Sequence, residues 1–513
     1  MTMAVTSLLL MEATMLCAGW SIYENLSTKT PYLAQQDAST YTAPPAGCRP
    51  VHMEYLARHG SREPTTGNIN QMQALSVTLH ANAERIRNPD YAWMKTWVSP
   101  YQKATAGLLL IPSGADEHYL TSKRMLQNYP EVLLANNYTP IDYSFQSTQI
   151  SRTGQSGSAF IYGVFEGRGD LGPANFMPYY IFANSTSTDL QLRFFDNCPT
   201  YGAEVLNNPA TDEQAQQFAS QTWQALALQI SESIGAYPEW QIDETTMSSM
   251  WTACTFEIVI SNDTSQFCTL FNETNIDTIN YALDLHYYYV SGPGNALNYQ
   301  PATLLLSDMW LGLDCYVRCP SLSSPLCPAY CKGVAATAKL RFAHAETTMP
   351  FVSLLGLFHD ATPLMADWTP QQIANRKWDT SVISPFAAND NFVLYSCPND
   401  AYYVKYLHNE KEYILPGCPD VYCPYQQFNA SLQAALSLDY NTICNYTACP
   451  TAAPPLEQPD DHACNVKIAI IAGSLSLLCA LLIVLILVLN YSKIFKQCGC
   501  VKTHGSYQRL EFD

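Results

Sequence analysis

Arg58-His59-Gly60-Ser61-Arg62-Glu63-Pro64 follows directly on the strand-like run at 51–57, and its glycine allows a tight turn. A histidine between two arginines at the mouth of a strand is an odd place for a structural residue. The positive field of Arg58 and Arg62 disfavours imidazolium, so it keeps the His59 ring neutral and nucleophilic. Two guanidinium groups also suit a phosphate, which they grip bidentately while neutralising charge on its equatorial oxygens during transfer. The turn alone is equally compatible with a basic surface loop, because short patterns recur by chance. Further along, 338–342 alternates apolar residues with Lys339 and Arg341, again a strand, and runs into His344. Behind it Phe351, Leu354, Leu355 and Phe358 recur at helical spacing, with Thr347 or Thr348 placed to cap that helix. Strands that end in polar residues and lead into helices predict a doubly wound α/β sheet, with ligands bound beyond the strands' carboxyl ends.

The chain around these segments has 513 residues, of which only 14% are charged, and 44 acids against 26 bases give a net charge of −18. That balance excludes a nucleic-acid binder, which needs a basic footprint. One uninterrupted apolar block at 468–489 carries no charge and is long enough to cross a bilayer, so 467–489 is read as a transmembrane helix. Lys493, Lys496, Lys502 and Arg509 follow it, which places the tail 490–513 in the cytoplasm and the rest outside. Such a type I layout calls for an export signal, assigned to 1–19 although Glu12 interrupts its apolar core. Residues 450–466 are rich in proline and form a stalk. The ectodomain, 20–449, is then one globular unit.

The cysteines and sequons agree with export. Of 18 cysteines, 14 lie from Cys48 to Cys464, an even set that reads as disulfides in an oxidising compartment. Cys315, Cys319, Cys327 and Cys331 have a spacing that zinc could use, but no histidine lies near, and disulfides are preferred. Asn-x-Ser/Thr glycosylation sequons occur at Asn25, Asn137, Asn184, Asn262, Asn272, Asn429 and Asn445, all on the outer side. In the tail, Tyr507 and Leu510 frame a tyrosine-based sorting signal of the kind clathrin adaptors read.

Arg58 to Pro64 resembles the R-H-G-x-R-x-P signature of histidine acid phosphatases, and His344-Ala345-Glu346 resembles the H-A-E variant of the second motif found in multiple inositol polyphosphate phosphatases. Intervening stretches fit in order: Phe194-Phe195-Asp196-Asn197-Cys198, the segment around Cys254, Phe267 to Phe271, Gly292-Pro293-Gly294, Pro385 to Asn389, and Leu407-His408-Asn409-Glu410-Lys411. The resemblance implies a phosphoglycerate-mutase-like sheet with a mainly helical inserted subdomain. It further implies His59 as nucleophile through a phosphohistidine, Arg58, Arg62, Arg152 and His344 as phosphate ligands, and Glu346 as general acid. No metal or cofactor is needed, since these groups supply the charge stabilisation. The implied substrate is a small anionic phosphorylated compound, an inositol polyphosphate of the phytate kind. A broad acid phosphatase would use the same residues, and a surface glycoprotein using the fold as a binding module is a third reading.

Other polar residues are assigned away from catalysis. His359-Asp360 spells the H-D pair of ordinary acid phosphatases but follows the helix 351–358, so His359 is read as a helix-end residue. Lys123 and Arg124, after a helix start near Asp116 and Glu117, are read as a solvated face, while His52 and His286 are read as structural. Glu63 stands where the family usually has an aromatic residue, and puts a negative charge beside the phosphate clamp.

Overall fold

A computed structural model describes residues 21–32, 41–101, 109–319, 327–331, 334 and 337–446. The strands are β1 (Arg49–Arg58), β2 (Tyr143–Ser147), β3 (Ile181–Phe182), β4 (Ala338–Ala343), β5 (Asn389–Cys397), β6 (Ala401–His408), β7 (Lys411–Tyr413) and β8 (Tyr422–Pro424). They form one sheet in the order β3-β2-β4-β1-β5-β6-β7, with β8 pairing on β6. From β3 to β1 the strands are parallel, and from β1 onward each new pair is antiparallel. The doubly wound expectation therefore holds for only half the sheet. For β5 and β6 the cause is connection length: β5 ends at Cys397 and β6 begins at Ala401, too close for a crossover, so a hairpin is forced.

The main helices are α1 (Thr66–Ala81), α2 (Pro112–Asn128), α3 (Ser151–Phe165), α4 (Glu213–Ser233), α5 (Glu244–Phe256), α6 (Glu273–Val290), α7 (Thr303–Arg318), α8 (Ala345–Leu354) and α9 (Tyr425–Leu436). Helices α4 to α7 lie in the long insertion between β3 and β4, which gives the expected helical subdomain. On one face of the sheet Tyr55 of β1, Phe342 of β4 and Phe160 of α3 pack with ring centroids 4.8 to 6.0 Å apart. The small residues of α3 permit this, because a Cβ on Gly157 would meet the Phe342 ring at 2.8 Å. On the other face Phe392 of β5 packs against Phe351 of α8 and Phe428 of α9. Helix α8 begins at Ala345, with His344 and not a threonine at its N-terminal boundary, and ends at Leu354. The apolar spacing that suggested 351–358 marks only its buried C-terminal part.

That second face also buries charge. Arg341 on β4 gives Nη1 to Glu54 Oε2 at 2.7 Å and Nε to Asp308 Oδ2 of α7 at 3.0 Å. Glu54 Oε1 lies 2.9 Å from His52 Nε2, and Lys339 Nζ reaches Asp308 Oδ1 at 2.9 Å. Burial alone would raise the Asp308 carboxyl, but Arg341 and Lys339 hold it well below the usual range. Removing one partner of such a network strands the others. Arg341→Leu should lower stability by about 3–5 kcal/mol, read from the denaturant midpoint. His52 and His286, the latter 2.6 Å from Asp212, are structural as expected.

The twelve described cysteines pair as Cys48–Cys397, Cys198–Cys444, Cys254–Cys268, Cys315–Cys331, Cys319–Cys327 and Cys418–Cys423. The four with zinc-like spacing thus form two disulfides. No helix among the described residues is long and apolar enough to cross a membrane. The signal 1–19, the stalk 450–466, the apolar block 467–489 and the tail with Tyr507 and Leu510 lie outside the described residues, as do Cys449 and Cys464.

Candidate active site

Parallel pairing of β1 with β4 brings the two motifs together. The last residues in register are Arg58 and Ala343, so the chain leaves both strands at the same level. The next residues, His59 and His344, have ring centroids 5.6 Å apart. β2 lies beyond β4 and leads through Thr148 into α3, whose first turn carries Arg152. Three adjacent carboxyl ends therefore supply the site, as the sequence predicts.

His59 is 2% exposed, and its Nδ1 lies 2.8 Å from the Gly60 carbonyl. An N–H at Nδ1 donates to that oxygen, which leaves the Nε2 lone pair available. Burial, then the fields of Arg152, Arg58, His344 and Arg62, push the ring well below the ordinary histidine range. Both effects favour the neutral form of the ring. The turn around it is fixed on several sides. Gly60 N–H donates to Ser156 Oγ of α3 at 3.0 Å, and Ser156 Oγ–H donates to the Arg152 carbonyl at 2.8 Å.

Arg58 Nη1 donates to the Thr28 and Ser384 carbonyls at 2.6 and 2.7 Å, and its guanidinium lies 4.7 Å from the Phe386 ring centre. Phe386 belongs to the Pro385-Phe386-Ala387-Ala388-Asn389 stretch, which closes against the turn. Ala387 N–H donates to the His59 carbonyl at 2.9 Å, with Ala387 at φ 54°, a left-handed conformation that a small side chain tolerates. Arg62 is buried, and its Nη1 donates to the Glu63 carbonyl at 2.9 Å. The Glu63 carboxyl is itself raised by burial.

His344 gathers the remaining donors. Its Nε2 lies 2.9 Å from Thr148 Oγ1 and 3.0 Å from Arg193 Nη1, while Arg152 Nη2 lies 3.4 Å from its Nδ1. A neutral imidazole offers one lone pair, whereas a phosphate oxyanion has enough to accept from Arg152 and the ring together. Glu346 follows two residues later, partly buried in the first turn of α8. The six residues expected from sequence thus sit on one end of the sheet: Arg58, His59, Arg62, Arg152, His344 and Glu346.

Several assignments change. Arg124 is not a solvated face residue: its Nε and Nη2 each donate to the buried Glu410 carboxylate at 2.8 Å. Glu410 sits in the Asn409-Glu410 turn between β6 and β7, where both residues have positive φ. Lys123, partly exposed, pairs with Glu166 at 2.7 Å on the helix surface. The helix that carries both begins at Pro112, ahead of Asp116. His359 lies beyond the end of α8 and reaches back to the Ser353 carbonyl at 3.2 Å, while Asp360 accepts the Lys377 and Trp378 N–H groups. Arg193 is the site residue that sequence reading missed. It directly precedes Phe194-Phe195-Asp196, and its pairing with Asp196 gives it the look of a surface ion pair.

Residues 51–409 match the histidine phosphatase superfamily (branch 2). Multiple inositol polyphosphate phosphatase 1 of Dictyostelium discoideum is 32% identical over 440 residues, covering 78% of this chain and 69% of that protein. The Bifidobacterium longum multiple inositol polyphosphate phosphatase, solved with inositol hexasulfate, superposes with a TM-score of 0.61 at 18% identity, over 80% of this chain and 98% of that one. The phytase from D. castellii gives 0.65 at 18% identity, over 84% and 89%. With its two motifs assembled on neighbouring parallel strands, the chain belongs to branch 2 of the histidine phosphatase superfamily, in which it is similar to multiple inositol polyphosphate phosphatases.

Proposed function

We propose that this protein removes phosphate from inositol polyphosphates through a phosphohistidine on His59. The observation that carries this reading is the buried, neutral His59 ring with its Nε2 lone pair available, ringed by the positive groups of Arg58, Arg62 and Arg152. In the first step His59 Nε2 attacks phosphorus while the bond from phosphorus to the leaving inositol oxygen breaks. Glu346 gives its proton to that oxygen. Water then attacks the phosphohistidine, its proton passes to the Glu346 carboxylate, and inorganic phosphate leaves with the P–N bond broken. Arg58, Arg62, Arg152 and His344 hold the equatorial oxygens, and the sequence identity with the Dictyostelium enzyme supports the substrate class.

Arg193 adds a donor for a second phosphate group on the same ring, which a simple aryl phosphate lacks. The test compares kcat/KM on inositol hexakisphosphate and on an aryl phosphate for the full-length protein. The expected result is a strong preference for the inositol substrate. Arg193→Ala should cut that preference by about tenfold, the scale for losing one charge-assisted hydrogen bond. A wild-type preference for the aryl ester would move the protein to the general acid phosphatases.

The ectodomain faces an extracellular or endolysosomal space, held by a single type I span at 467–489. The apolar block, the lysines after it and the disulfide pairing support this layout. Of the seven sequon asparagines, Asn137, Asn184, Asn262, Asn272 and Asn445 are exposed and Asn25 and Asn429 partly so, which leaves room for glycans. Tyr507 and Leu510 would route the protein through clathrin adaptors.

A further inference from the structure

Glu117 is an acid that this chemistry does not use, yet it holds the catalytic turn. From α2 its Oε2 accepts the Ser61 backbone N–H at 2.7 Å. Its Oε1 accepts the Ser61 Oγ–H at 2.6 Å and the Tyr32 N–H at 3.1 Å. Ser61 stands between His59 and Arg62. Tyr32 ends the described N-terminal segment 21–32, whose Thr28 carbonyl takes Arg58 Nη1 and whose Thr30 carbonyl takes the Phe386 N–H at 2.9 Å. One carboxylate therefore joins the turn that bears three site residues to the segment that anchors Arg58. Helix and turn meet backbone to backbone: a Cβ on Gly60 would lie 2.2 Å from the Gly114 carbonyl oxygen, and one on Gly114 would lie 2.1 Å from that of Ser61. Little slack remains in that junction, so a change at Glu117 is felt by the turn.

We propose that Glu117, as the carboxylate, is a positioning residue of the phosphate clamp, setting the Ser61 turn so that His59 and Arg62 meet the same phosphate. It touches no substrate atom, and the inference rests on the phosphatase reading above. Burial raises its carboxyl to about 7 against the pull of the Ser61 and Tyr32 donors and of Arg58. Arg58 and Tyr32 act on it directly; Arg62, His59 and Glu63 lie elsewhere on the turn, the last raised by burial, and His118 follows it on its own helix. Both arginines stay charged, and burial pushes the Tyr32 hydroxyl well up. His59 lies well below its ordinary value and His118 is lowered to about 3. Of the groups in direct contact with one another here, Glu117 is the one whose charge changes near pH 7. Above pH 7 it is an acceptor for all three donors. Below, its proton can point back to Ser61 Oγ, the state that Glu117→Gln imitates at every pH.

The experiment measures inorganic phosphate binding by titration calorimetry, and kcat/KM, for the full-length wild type and Glu117→Gln at pH 5 and pH 8. Taking variant over wild type at each pH cancels the titration of phosphate itself. The expected loss is about tenfold at pH 8, the size of one charge-assisted hydrogen bond, and under about threefold at pH 5. An equal loss at both pH values, or none at pH 8, overturns the proposal. Glu63→Gln is the control for the other acid of the turn, and its loss should not follow that pattern. If Glu117→Gln does not fold, Ser61→Ala, which removes the Oγ donor and keeps the backbone N–H, is measured instead: weaker phosphate binding at pH 8 is expected, and unchanged binding there overturns the proposal. A wild type that neither binds phosphate nor turns over would instead bring down the phosphatase reading.

Discussion

His59→Ala should lose turnover on the order of 10⁶-fold, the scale seen when a hydrolase loses a covalent nucleophile, while binding inorganic phosphate as well as the wild type. The two halves follow from one fact. Burial and its cationic neighbours keep the imidazole neutral, so it contributes a lone pair and no charge to the clamp. Arg58, Arg62, Arg152 and His344 remain to hold the anion. Steady-state kinetics and titration calorimetry on the same preparation check both halves. Turnover within about tenfold of wild type would mean that another group attacks phosphorus.

Glu346→Gln should slow release from inositol polyphosphates by about 10²–10⁴-fold, the usual worth of a positioned general acid, and slow a nitrophenyl phosphate far less. An inositol oxygen leaves as a strongly basic alkoxide unless it is protonated, whereas nitrophenolate leaves unaided. Single-turnover rates on the two esters separate the effects. Equal slowing on both would assign the proton to another group. Asp360, the other acid beside a histidine, is poorly placed for that work, because its two oxygens take the Lys377 and Trp378 N–H groups at 2.8 and 3.0 Å.

The site is legible in the sequence where its residues are contiguous. Arg58-His59-Gly60-Ser61-Arg62 is one turn after one strand, and His344-Ala345-Glu346 is the start of one helix after another, so local rules reach them. Arg152 is reached only through the family resemblance, which asks for an arginine where a strand gives way to a helix. Arg193 is not reached, because its link to His344 spans 151 residues and runs through the fold of the helical insertion. Glu117 and Arg124 fail for the same reason. On α2 they resemble an ordinary polar helix face, and only the tertiary approach of Ser61 and Glu410 gives them buried partners.

The sheet shows the same division. The strand leading into each motif is visible as an apolar run, and the long, helix-containing chain between β1 and β4 permits their parallel pairing. The antiparallel half is hidden, because β5 is buried over its first seven residues and β6 over its last five, and neither shows the alternation that marks a half-exposed hairpin. The buried charges on β1 and β4 likewise read as surface residues in a period-two pattern, until α7 brings Asp308 to them.

The measurement that tests the central claim most directly is rapid acid-free quenching of the full-length protein during turnover of ³²P-labelled inositol hexakisphosphate without added metal, followed by mapping of the labelled peptide. The account predicts an acid-labile, base-stable phosphoryl group on the peptide containing His59, formed and lost at rates that support turnover. Turnover with no such label on that peptide, or with the label on a different residue, would contradict it.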